Sequence, residues 1–157
     1  MGTFGVVKAV HDSYPQTMPT QLFFDLAVNA GEFVSIHFCE KDEFDAIGAN
    51  LADKNIVALP INGSAIKSYE GLFRAFSVAL KKPKGWYGDE EFAPNANAFL
   101  EYLDDVEDWV PANGHIAVIS GAEHLWREQP RLAGFLVEQW QFATVRRGAK
   151  IHLVFVW

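Results

Sequence analysis

Apolar residues along this chain follow two rhythms. Short, mostly apolar runs at 33–38 (FVSIHF), 56–61 (IVALPI), 115–119 (HIAVI) and 151–157 (IHLVFVW) have the length and β-rich composition of strands buried on both faces. Between them the spacing changes to threes and fours. From Asp42, a predicted N-cap, to Lys54 it brings Phe44, Ile47 and Leu51 to one side. Ser68 caps a second predicted helix bearing Tyr69, Leu72, Phe73, Phe76 and Leu80; Lys81 and Lys82 suit its end and Pro83 stops it. Pro130 opens a third, with Leu132, Phe135, Leu136, Trp140 and Ala143 near one side. Arg146 and Arg147 complement its dipole and Gly148 ends it. Residues 1–30 predict less: a short strand at Phe4–Val10, a loop, and an apolar stretch at Leu22–Val28 that suits either state. Strands alternating with helices predict an α/β fold, a small parallel β-sheet covered by helices.

A length of 157 residues with half of them hydrophobic is one ordinary domain with a sizeable core. The net charge of −7 argues against direct nucleic-acid binding and suits a basic protein partner. One cysteine, Cys39, leaves no internal disulfide, and the N-terminus lacks the pattern of a signal peptide. No run approaches the length of a membrane span. The expectation is a cytoplasmic protein without membrane contact.

The charge is unevenly spread. From Trp86 to Trp109 there are eight carboxylates, Asp89, Glu90, Glu91, Glu101, Asp104, Asp105, Glu107 and Asp108, and no Lys or Arg. Read as a helix from Asn95, the segment puts Asn97, Glu101, Asp104 and Asp108 on one face. Ala96, Phe99, Leu103 and Val106 lie on the opposite, inward one. Carboxylates held outward on a firm footing, preceded by an acidic loop, are suited to a cationic surface.

Other chemistry finds little support. His37 and Cys39 share a strand face, but a nucleophile and base need mutual reach and an orienting group. His115, His124 and His152 lack metal-ligand spacing, and no glycine-rich phosphate loop follows a strand. Glu101 and Asp104, adjacent on an exposed helix, lack the burial that separates two carboxyl pKa values. Neither a catalytic group, a metal nor a cofactor is expected. The five tryptophans are assigned mostly to the core, with Trp86 and Tyr87 as the aromatics nearest the acidic loop.

From Ile56 onward the order of landmarks resembles the barstar family of intracellular ribonuclease inhibitors. These are Ile61-Asn62-Gly63, Ile66, Leu72, Trp86-Tyr87-Gly88, Asn95-Ala96-Asn97-Ala98-Phe99-Leu100-Glu101, Leu103, Trp109, and Arg147-Gly148-Ala149-Lys150 before the last strand. The resemblance implies a three-stranded parallel sheet, to which 33–54 adds a fourth strand. Residues 1–55 are then an N-terminal extension and 56–157 the barstar-like unit. It also implies a non-enzymatic immunity protein that occludes the active site of a basic toxin nuclease, a ribonuclease or another such as a deoxyribonuclease. A small α/β enzyme or ligand-binding module is the rival. Carried over, Tyr87 and Gly88 fall on the binding loop, Asn95 on the turn asparagine, and Asn97 and Glu101 on the two helix acids. With Trp86, Asp89, Glu90, Glu91, Asp104 and Asp105 they form the expected partner-binding set. Asp89–Pro94 is longer than the family pattern, Asn97 replaces an aspartate, Leu100 a tryptophan, and Ala143 an acid of the later helix.

Overall fold

The structure, a computed structural model, describes residues 36–83, 85, 95–147 and 151–157. Its elements in chain order are β1 (Ile36–Cys39), α1 (Lys41–Asp53), β2 (Ile56–Asn62), a 3₁₀ turn (Gly63–Ala65) and α2 (Tyr69–Ala79). There follow α3 (Ala96–Asp104), α4 (Val106–Trp109), β3 (Gly114–Ser120), α5 (Ala122–Glu128), α6 (Pro130–Arg147) and β4 (Ile151–Val156). The four strands form one all-parallel sheet in the order β1-β4-β3-β2. The expected α/β fold and the fourth strand are therefore present.

The order explains the layering. Going from β2 to β3 to β4 the chain steps one way, whereas β1 to β2 crosses back over the whole sheet. Right-handed crossovers in opposite directions deliver their helices to opposite faces. So α1 covers one face, over Cys39, Ile56, Ile116, Val118, Val154 and Val156, into which it inserts Ile47 and Leu51. The other face carries Leu59, Ile61, Ala117, Ile119, Leu153 and Phe155, packed under Leu72, Phe76, Phe99 and Trp140 from α2, α3 and α6. Trp140 is fully buried and its indole N–H donates to Ile151 O at 2.8 Å, fastening α6 to β4. Pro60, which has no N–H for a ladder, lies in edge strand β2.

Local chemistry sets the turns. Ser68 caps α2, its hydroxyl accepting from Gly71 N at 3.0 Å. Asn62 Oδ1 accepts from the amide and hydroxyl of Ser64, and a Cβ on Gly63 would lie 2.9 Å from Ile119 Cγ2 and 3.0 Å from Ser120 O. Only glycine lets this turn close against β3.

Four expectations need correction. Glu40, not Asp42, holds the N-cap position of α1, and makes no side-chain cap bond; Asp42 sits in the first turn, where the dipole favours it. The helix from Asn95 does not run through to Asp108 but breaks at Asp105 (φ −89°, ψ 1°), giving α3 and α4. Helix α5 was not predicted between β3 and Pro130: it starts after Gly121 in the left-handed region and has no side-chain cap. Trp157 is 38 % exposed instead of core, and Trp109 and Trp126 are only partly buried. The predicted strand residues 33–35 and everything before them lie outside the described residues.

Candidate protein-binding face

Helix α3 is built for rigidity. Asn95 caps it, its side-chain oxygen accepting from Ala98 N at 3.0 Å, which frees the following residues to face outward or inward by periodicity alone. Phe99, Leu100, Tyr102 and Leu103 are all buried. Phe99 meets Phe76 edge to face at 5.1 Å and Phe73 at 5.5 Å between ring centroids, and Tyr102 meets Trp109 at 5.7 Å. Lys82 Nζ stands 5.4 Å from the Tyr102 ring centre, a cation–π contact. The helix packs along α6. Leu100 and Tyr102 thus widen the inward stripe beyond the predicted Phe99 and Leu103.

On the outer side, Asn97 is exposed and Glu101 and Asp104 are half-buried, one turn apart along the axis; Asp105, also half-buried, occupies the C-cap. The structure therefore brings Asn97, Glu101 and Asp104 together on one face as the spacing predicted. Asp108 does not join them, because the break at Asp105 resets the helix phase; it and Glu107 are exposed on α4. Asn95 is committed to its cap bond. Trp86, Tyr87, Gly88, Asp89, Glu90 and Glu91 lie outside the described residues. Ala143, aligned with an acid of the family's later helix, is fully buried, so α6 offers no carboxylate there.

The electrostatics of this face are unusual for a surface helix. Glu101 and Asp104 stand in the last turn, at the negative end of the helix dipole, and that turn itself holds no basic residue. Neither the Glu101 nor the Asn97 side chain has a hydrogen-bond or ion-pair partner among the described residues. A carboxylate so placed is held partly desolvated and uncompensated on a fixed frame, which is what a donor-rich cationic cavity would complement.

The alternative sites carry other signatures. Burial, followed by the Glu43 and Glu40 carboxylates, pushes the Cys39 thiol up to about 11, so it is a protonated packing group at neutral pH and a poor nucleophile. His37 Nε2 lies 3.4 Å from His152 Nδ1 across β1 and β4, and buried His115 pairs its Nε2 with Val110 O. Among the described residues no helix is long and apolar enough to cross a membrane.

The family model described as Barstar (barnase inhibitor) matches residues 56–155, well over half of the chain. The chain belongs to the barstar family. Comparison with the curated proteins and with the solved structures gave no match. The family match begins at the first residue of β2, so β1 and α1 lie ahead of it.

Proposed function

We propose that this barstar-family chain is an inhibitor or immunity protein that binds a basic toxin nuclease in the cytoplasm and blocks its active site with α3 and the loop before it. The observation that carries the reading is Glu101: half-buried, its carboxylate without an ion pair or hydrogen bond among the described residues, on a helix whose inner side is locked by Phe99 and Tyr102. A nuclease site lined with Arg, Lys and His supplies the charge-assisted hydrogen bonds that this carboxylate lacks, and the acidic segment speeds encounter with a cationic surface. Asn97, Asp104 and Asp105 extend the contact, as do Trp86, Tyr87, Gly88, Asp89, Glu90 and Glu91, with Asn95 setting the helix start. A ribonuclease is the first target because RNA phosphates are what such carboxylates replace. Asn97 in place of an acid and Ala143 buried in place of another favour, as second reading, a deoxyribonuclease with a differently shaped site. The chain acts by occlusion and needs no cofactor.

The test is capture of a basic nuclease from the source lysate at low salt, comparing wild type with the Glu101→Ala, Asp104→Ala double variant, followed by inhibition assays on the captured enzyme. Wild type should retain a nuclease that salt releases, inhibit it, and lose at least tenfold in affinity on double substitution, since each hydrogen bond to a charged group contributes about 1.5–3 kcal/mol. Equal capture by both forms would show that α3 is not the plug.

A further inference from the structure

A cleft of about 390 Å³ opens at the carboxyl ends of β3 and β4, on the sheet face covered by α1 and away from every residue of α3. Its volume falls among those of small-molecule sites, which favour the strand ends of parallel sheets. Val118 and Val156, both buried, line it together with Phe44 of α1 and Trp157. Trp157 is partly exposed yet held in position. Its amide donates to Cys39 O at 3.1 Å, and its ring stacks on Phe38, 6.2 Å between centroids and 14° between planes. A ligand entering here meets an aromatic wall that is already set, so little ordering is left to oppose binding.

The polar groups of the lining are engaged elsewhere or closed off. Lys41 and Asp45 neutralise each other in an ion pair. Ser120 Oγ gives its proton to Ile61 O at 3.3 Å, and Gly121 O accepts from His124 N at 3.1 Å. Glu123 sets Oε1 3.3 Å from His124 Nε2, and its Oε2 is shut away from solvent, beyond the reach of an incoming atom. The lining thus holds no charge that is both uncommitted and open to the cleft. Seating an ion there strips its water and puts nothing in its place. Glu40, Asp42 and Glu43 near the start of α1 are exposed, so solvent and salt screen them. They add to the cost for an anion without repaying the burial of a cation.

We propose that this cleft binds a small neutral molecule with a flat aromatic body, seated against Phe44, Val118, Val156 and Trp157, and rejects charged molecules of the same shape. Two aromatic and two branched aliphatic side chains supply the attraction. The spent polar lining supplies the selection. The site lies apart from the proposed inhibitor face and stands whatever that face binds.

The experiment follows the Trp157 indole N–H by NMR, assigned with Trp157→Phe, while the full chain is titrated with ethylbenzene, benzylammonium and benzoate. Benzylammonium differs from ethylbenzene only in an ammonium where the terminal methyl stood. Ethylbenzene should shift the signal saturably, and each charged probe should bind about tenfold more weakly or worse. Phe44→Ala should weaken ethylbenzene about fivefold, whereas Phe142→Ala, on the exposed side of α6, should leave its binding unchanged. The proposal is overturned if either charged probe matches ethylbenzene on wild type, if Phe44→Ala binds ethylbenzene as well as wild type, if Phe142→Ala weakens it equally, or if ethylbenzene does not shift Trp157 saturably. Should Phe44→Ala fail to fold, the comparison of the three probes on wild type still decides.

Discussion

Two acidic helices, α1 and α3, cover opposite faces of the same sheet, and they spend their charge differently. In α1, Asp42 and Glu43 lie in the first turn, where the helix dipole welcomes them, and Asp45 is paired with Lys41 one turn back. Its grip is light: of thirteen residues only Ile47 and Leu51 are buried. In α3 the acids stand in the last turn, against the dipole, with no base in that turn, while four of nine residues are buried. Local stability accounts for the acids of α1. It does not account for Glu101 of α3, which stands against the dipole without a side-chain partner among the described residues and is held in place by a strong anchor. That contrast separates a solvated helix from the proposed binding one better than any count of carboxylates.

The largest expected effect is on the anchor. Phe99→Ala should lower stability by about 3–5 kcal/mol, measured by denaturant or thermal unfolding, because it empties a site closed by Phe73 and Phe76. Leu51→Ala under α1 should cost less, about 2–3 kcal/mol; if it costs more than Phe99→Ala, the asymmetry between the two faces is wrong. Next comes Cys39, buried beneath α1. At pH 8 its alkylation in the native state should run about a hundredfold slower than in the unfolded chain, as the rise from 9.0 to about 11 requires. Because the folded state holds the proton more tightly, this contribution to stability is fully present below pH 9 and fades as pH rises through 11. Equal alkylation rates would mean that α1 exposes the thiol. A smaller effect, of opposite sign, is expected at Glu101: Glu101→Gln should leave stability unchanged or raise it by about 0.3–1 kcal/mol, relieving the dipole, even as partner affinity falls. Smallest is Asp45→Asn, whose exposed pair with Lys41 should leave the melting curve where it was.

Periodicity carried most of the fold. The strand runs beginning at Ile56, His115 and Ile151 needed only their length and β-branched content to be recognised, and the helices of α2 and α6 announced themselves through Ser68, Pro83 and Pro130. Helix α5 escaped because AEHLWRE has a single turn's worth of apolar residues and opens on a left-handed glycine in place of a capping side chain. The strand order was also beyond reach. Two βαβ connections look alike locally, and only tertiary pairing sends β1 past β3 to the far side of β4. At the proposed binding face, Asn97, Glu101 and Asp104 followed the 3.6-residue period as expected. Asp108 did not, because a helix already carrying acids at its negative end has little reason to continue through Asp105. Leu100 and Tyr102 were missed as core since an inward stripe four residues wide looks like scatter in nine. The cleft near Glu123 left no local trace at all, being assembled from residues as far apart as Lys41 and Trp157.

The position of β1 beside β4 has a mechanical consequence. The two strands run parallel, with Ile36 at the start of one and Val156 near the end of the other. A pull between the ahead-of-β1 chain and Trp157 therefore drags the strands along each other in opposite senses. Their ladder is loaded in shear, all rungs at once, instead of being peeled open one rung at a time. A pull applied at Ile36 and Trp157 would meet its resistance at this four-residue seam, and the barstar-like sheet behind it would feel the force only after the seam had given way.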